Sequence, residues 1–351
     1  MKHWWWKILA TLLLLYVVVF GLRTPLAPAL IACTPDRIAP GDVLVNVWGY
    51  NTRFLEGIDG SWISNDGQWV CVNAARVVGD DHVELRFNVP HGMRADMSQL
   101  ILRTTAHGDL TYQNAFYTQD RGSGMAQQIA DGCRPETLPK ATVELHQKAF
   151  QFPDRNILNE SIRNLFFHVP MWFSMVVLMA IGVWKSIRVL GQNDPDDDRS
   201  ALVAVQVGLL FGVFGLISGS LWARVTWETW WTTDPKLNGA AAGVLIYLAY
   251  LVLRGSVPEP AKRARLSAIY SIFAFTFMML FFFVLPRLNA VDSLHPGNGG
   301  NPAFNTYDLD DRLRSVFYPA CLGWILLGVW MYDLRSRAMR LQNQLTDAND
   351  H

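Results

Sequence analysis

Five apolar runs, at residues 167–189, 201–222, 237–253, 266–285 and 316–334, are each long enough to cross a hydrocarbon core of roughly 30 Å, which takes about 20 helical residues. A sixth, 4–22, opens the chain, and its Trp4, Trp5 and Trp6 suit a membrane interface. Lys2 and Lys7 give that run the basic start of a signal peptide, and Leu30-Ile31-Ala32-Cys33 imitates a lipoprotein cleavage box. Arg23, Pro25 and Pro28 separate the box from the apolar run, so the run reads as a retained anchor. Six spans leave five connections, and their charges orient the chain. Lys2, Lys7, Lys185, Arg188, Arg254, Lys262, Arg263, Arg265, Arg335, Arg337 and Arg340 all fall on one side. That side is cytoplasmic by the positive-inside bias, together with both termini and a tail at 335–351. The acidic run 194–198 falls there too and is expected as a solvated turn.

The opposite side receives a long polar segment, the connection at 222–236 and the connection at 286–315. Stretches at 43–50, 69–73, 82–89, 99–105 and 110–118 alternate apolar and polar residues between Gly, Asn, Asp and Pro, the pattern of a small antiparallel β-sandwich. The run from Cys33 to Asp42 followed by Trp48-Gly49-Tyr50 suggests an immunoglobulin-like module. The expected fold is therefore an all-α polytopic membrane protein of six transmembrane helices with an inserted β-rich domain. Its parts are a first helix at 1–22, the extracytoplasmic insertion at 23–137, a helical return at 138–166 and a five-helix membrane domain at 167–334.

Lys plus Arg and Asp plus Glu both number 30, and no basic cluster interleaves with aromatics, which excludes nucleic acid as a partner. The four cysteines form no CxxC or CxxCH motif, so neither a thioredoxin-type pair nor a covalent c-type haem site is present. Cys33, Cys71 and Cys133 share the exported segment, where three pairings are open. His82, His91, His107 and His146 have no metal-ligand spacing and read as solvent-exposed.

Chemistry-bearing residues gather at the extracytoplasmic edges of the spans: His168-Val169-Pro170, the loop from Trp222 to Lys236, and Ser293-Leu294-His295-Pro296-Gly297. Were the loop helical, Trp227, Trp230 and Trp231 would share one face as an aromatic shelf. Two histidines flanking such a shelf suit axial ligation of a planar metal cofactor, with Arg224, Lys236, Arg287 and Arg314 as candidate partners for its acidic groups. No Ser, His and Asp set offers convincing acid–base or nucleophilic catalysis.

The Trp-rich loop with Asp234, together with the HVP and SLHPG motifs, resembles the WWD signature of haem-handling proteins, and in particular the CcmC family of system I cytochrome c maturation. The resemblance covers all six spans in order. It implies that His168 and His295 are axial ligands of haem b carried transiently as cargo. It also implies that Trp222, Trp227, Trp230, Trp231 and Asp234 form a haem-facing loop. The implied role is delivery rather than catalysis: haem passes at the periplasmic face of a bacterial inner membrane to the chaperone CcmE, alongside CcmA and CcmB of an ABC complex. The chain has no GxxxxGK[ST] run, so ATP hydrolysis belongs to another subunit. It departs from the family at Ala223 and Glu228, which stand where the WG pairs carry glycine, in its TTDPK sequence, and in the β-rich insertion. Alternative readings are a haem lyase subunit of the CcmF or CcsA type, a non-haem permease and a structural scaffold.

Overall fold

The computed structural model describes residues 4–65, 68–93, 96–118, 150–154, 158–192, 194–287, 293, 295 and 309–349. The chain divides into a helical unit, Met1–Thr24 with Glu160–His351, and a second unit, Pro25–Asn159.

The helical unit contains α1 (Trp5–Arg23), α2 (Leu165–Gln192), α3 (Pro195–Thr226), α4 (Pro235–Ser256), α5 (Pro260–Met279) and α6 (Asp311–Asn349). All six contain windows long and apolar enough to cross a membrane, which makes this a multi-pass membrane protein. A 3-10 turn, Asn159–Asn164, leads into α2. A π turn, Leu280–Val284, continues α5, and α6 carries on through the expected tail as helix. Helices α3, α4 and α5 each begin with an acidic residue followed by proline: Asp194-Pro195, Asp234-Pro235 and Glu259-Pro260. Proline suits the first helical position because the N–H it lacks has no intrahelical partner there. Asp194 and Asp234 accept backbone N–H groups of the first turn, completing the caps.

Helices α2 and α3 approach closely because glycines on α3 receive large side chains from α2. A Cβ at Gly208, Gly212, Gly215 or Gly219 would lie 2.9, 2.7, 2.7 or 2.7 Å from Met179, Met175, Trp172 or His168, respectively. Small residues of this kind let membrane helices pack where no hydrophobic force drives them together. Two prolines also become contacts. Pro170 within α2 cannot donate to the carbonyl of Phe166, and Trp324 Nε1 donates to that oxygen at 3.2 Å. Pro319 within α6 likewise leaves the carbonyl of Ser315, which accepts from the Tyr16 hydroxyl at 3.2 Å. Neighbouring helices thus satisfy the backbone groups that proline frees.

The acidic run at 194–198 is not the solvated turn its composition suggests. Asp197 is buried and accepts from Lys185 Nζ at 2.7 Å and Arg188 Nε at 2.6 Å. Asp198 takes both terminal nitrogens of Arg254, at 2.7 and 2.5 Å, and Asp196 pairs with Arg199. Lys185 and Arg188 at the end of α2 and the distant Arg254 at the end of α4 converge on these carboxylates, which a one-dimensional charge pattern does not register.

Among its described residues the second unit holds eight strands: β1 (Ala29–Thr34), β2 (Arg37–Ile38), β3 (Gly41–Tyr50), β4 (Ile58–Asn65), β5 (Gln68–Val77), β6 (His82–Val89), β7 (Met97–Thr104) and β8 (Gly108–Thr118). They form a barrel-like sheet in the order β1-β3-β6-β5-β4-β7-β8-β2, antiparallel except for β2 beside β8. β5 is shared. Its first half pairs with β4 and its second with β6, so the sheet folds around a core that includes Val45, Val47, Ile63, Leu85, Phe87, Leu100 and Phe116. All five stretches expected as strands are strands. β1, β2 and β4 lack clear alternation and went unmarked. Arg103 is buried, bound in parallel to both oxygens of Asp109 at 2.6 and 2.8 Å and stacked 5.2 Å from Trp62. Cys71 is disulfide-bonded and Cys33 is a free thiol, which removes the pairings through Cys33. Burial pushes the Cys33 thiol up to about 12. Of the helical return expected over 138–166, residues 138–149 lie outside the described residues, 150–154 are not helical and place Phe152 in a bridge with Leu26, and Asn159–Asn164 form a 3-10 turn.

Candidate functional site

One end of the helical unit gathers His168, Trp172, Trp222, Trp227, Asp234 and His295. The loop between α3 and α4 is not helical, so the shelf of three tryptophans on one face does not form. α3 ends at Thr226, and Glu228 adopts a left-handed backbone, φ +59°, just past the Trp227 cap. That is the position at which helices commonly stop on glycine, because a Cβ is crowded there. Glutamate holds it here with help from the Arg224 guanidinium, which donates to the Glu228 carbonyl. Ala223, at the other broken WG pair, is a fully buried helical residue.

The turn divides the tryptophans. Trp222 and Trp227 lie edge to face with ring centroids 5.2 Å apart, and both pack on the His295 imidazole, at 5.7 and 5.0 Å. Trp230 and Trp231 are exposed, and Trp231 Nε1 donates to Asn238 Oδ1 at 3.1 Å. A tryptophan cluster legible in sequence thus resolves into two rings against a histidine and two on the surface. Trp172, one turn along α2 from His168, was not singled out. It sits edge-on to His168 at 6.2 Å and to Phe282 of the π turn at 5.2 Å. Its spacing from His168 was the available signal.

Each histidine is backed on Nδ1. His168 Nδ1 lies 3.1 Å from Ser218 Oγ, whose own proton goes to the Phe214 carbonyl at 2.8 Å. The serine oxygen therefore accepts from Nδ1–H, and the Nε2 lone pair is left for a ligand. Gly219 makes this position possible, since its missing Cβ would meet His168 Cε1 at 2.7 Å. His295 Nδ1 faces Asp234 Oδ1 at 3.3 Å, without completing a linear hydrogen bond. A carboxylate only accepts, so a hydrogen bond across this gap would put the proton on Nδ1 and the lone pair on Nε2.

Asp234 stands behind His295. Its side chain is almost wholly buried, Oδ1 caps α4 by accepting from Lys236 N at 2.8 Å and Leu237 N at 3.4 Å, and Oδ2 accepts from Ser293 Oγ at 2.8 Å. Arg314 pairs with Asp311 at 3.0 Å, while Lys236 lies in the first turn of α4. Among the described residues no three His, Cys, Asp or Glu side chains cluster as metal ligands. Two imidazoles from separate elements, with flat aromatic rings alongside, fit a planar metal macrocycle chemically.

Residues 142–290 match the family described as Cytochrome C assembly protein, a stretch that includes His168 and the whole tryptophan loop and ends before His295. Heme exporter protein C of Bradyrhizobium diazoefficiens is 31% identical over 137 residues, 39% of this chain and 51% of that protein. The chain thus spans about half the length of that relative. Heme exporter protein C of Paracoccus denitrificans is 27% identical over 197 residues, 54% of this chain and 77% of that protein. Cytochrome c biogenesis protein CcsA of Prochlorococcus marinus is 41% identical over 76 residues, 22% of this chain and 24% of that protein. Residues 142–290 thus carry the sequence pattern of the cytochrome c assembly proteins, and part of the chain is similar to heme exporter protein C.

Proposed function

We propose that this chain binds haem b as transient cargo and delivers it for cytochrome c maturation, with His168 and His295 as axial ligands. The observation that carries the reading is the matched pair of imidazoles. Each has Nδ1 facing an acceptor, and Trp222 and Trp227 pack on the second ring. Iron held between two imidazoles has no open position for chemistry, which suits a carrier better than an enzyme. Haem would pass to the chaperone CcmE, with CcmA and CcmB as partner subunits. The membrane would be the bacterial inner membrane, with both termini cytoplasmic and the β-rich unit periplasmic. The names of the relatives and the basic residues gathered at the opposite helix ends support this placement. The order β1-β3-β6-β5 in one part of the sheet and β4-β7-β8 in the other supports an immunoglobulin-like reading of the insertion, since such sandwiches divide their seven strands in that way.

The test is the visible spectrum of detergent-purified protein from haem-replete cells, for wild type, His168→Ala, His295→Ala and the double variant. The expected result is a low-spin bis-histidine spectrum that each single substitution shifts and the double abolishes. Colourless wild type, or a spectrum indifferent to both substitutions, would sink the ligand assignment. The 76-residue similarity to CcsA favours one second reading, a haem lyase subunit. That reading requires the purified, haem-loaded chain to form thioether bonds on an apocytochrome, whereas the carrier reading expects none.

A further inference from the structure

The two histidines are backed unequally. Behind His295 stands a carboxylate, fixed from three directions by the α4 N-terminus, Ser293 and burial. Behind His168 stand neutral oxygens only, the Ser218 hydroxyl, held by its bond to the Phe214 carbonyl, and the Gly215 backbone carbonyl. An imidazole whose Nδ1–H meets a carboxylate gains imidazolate character and binds metal more strongly than one donating to a neutral oxygen. The Asp234 carboxylate cannot rotate away without abandoning the first turn of α4. His295 Nδ1 lies 3.3 Å from Asp234 Oδ1, within ion-pair distance, and the hydrogen bond itself is not made in this structure.

We infer that Asp234 is a positioning residue for His295, that Ser218 is its weaker counterpart for His168, and that the ligand pair is unequal. His295 holds the cargo, and His168 is the ligand that lets go first. The inference rests on the haem reading above and assigns Asp234 a place behind the ligand rather than against the porphyrin. It also gives delivery a direction: the face of the haem toward His168 opens to the acceptor.

The experiment uses the full chain, purified in detergent and loaded with haem, with apomyoglobin as the acceptor that scores release. Asp234→Asn is the first variant, because asparagine caps a helix about as well as aspartate while removing the anionic acceptor. Ser293→Ala is the second, leaving Asp234 in place but loosening it. Ser218→Ala is the third. Asp234→Asn is expected to weaken haem retention about 10- to 100-fold, the usual cost of losing such a partner, and to raise the midpoint potential of the haem that remains. Ser293→Ala should move both in the same direction by less. Ser218→Ala should speed release while leaving a five-coordinate haem on His295, visible as a high-spin spectrum. The potential and spin state distinguish positioning from a general loss of stability. Unchanged potential in both Asp234→Asn and Ser293→Ala overturns the inference, as does a Ser218→Ala loss equal to or larger than that of Asp234→Asn. Either result leaves the haem reading intact. A colourless wild type overturns both together.

Discussion

The two ends of the helical unit are held by different physics. At one end charge does the fastening: Lys7 reaches Asp333 at 3.4 Å among the rings of Trp4, Trp6 and Trp330, Asp197 gathers Lys185 and Arg188, and Asp198 grips Arg254. At the other end the salt bridges described apart from His295–Asp234, namely Arg163–Glu160 and Arg314–Asp311, are local pairs three residues apart. The elements there meet through neutral contacts: Gly219 against His168, Trp324 on the Phe166 carbonyl and Tyr16 on the Ser315 carbonyl. The difference teaches where function can be placed. A carboxylate network among the histidines would offer competing ligands and cations, whereas glycine and proline contacts lock helices without adding charge. The Asp234 carboxylate is buried and faces a histidine.

The comparison can be broken most forcefully at the charged end. Asp197→Ala leaves two cations beside a buried gap and should cost about 3–5 kcal/mol. Thermal unfolding in detergent reads this as a large fall in Tm, while the haem spectrum of the folded fraction stays as in wild type. A variant that melts like wild type would show that the network is not what fastens that end. At the neutral end the pattern should invert. Gly219→Ala forces His168 to move and is expected to cost about 1–3 kcal/mol through overpacking. Its spectrum should change more than its Tm, and a normal spectrum would mean that His168 need not sit against α3. Trp324→Phe keeps the ring and removes the donor to the Phe166 carbonyl, with an expected cost of about 1–2 kcal/mol, read in the same melt. Smallest is Glu228→Gly, which relieves a left-handed residue and should raise stability by up to about 1 kcal/mol. Lower stability there would show that the Glu228 side chain has a role beyond its strained backbone.

Much of this was legible along the chain. The spans are local facts, since about 20 apolar residues in succession have few folds open to them, and the five strongest strands follow their alternation. His168, His295, Trp222 and Trp227 were selected by residue type and by their common place at span edges. Other features turned on partners far away in sequence. The run 194–198 looks like a solvated turn until Lys185, Arg188 and Arg254 are brought to it. Four tryptophans look like one shelf until the backbone at Glu228 turns left-handed and divides them.

The sequence by itself determined that the chain has six helices long and apolar enough to cross a membrane, carries a β-rich insertion and places two histidines and a tryptophan loop at span edges. It could do so because hydropathy, alternation and loop charge act over short stretches of chain. Only the tertiary structure decided which rings meet His295, that Gly219 makes room for His168, and that Asp234 and Ser218 stand behind the two imidazoles. Those are contacts between separate elements, set by helix packing and by where a capped helix begins, and no local pattern encodes them.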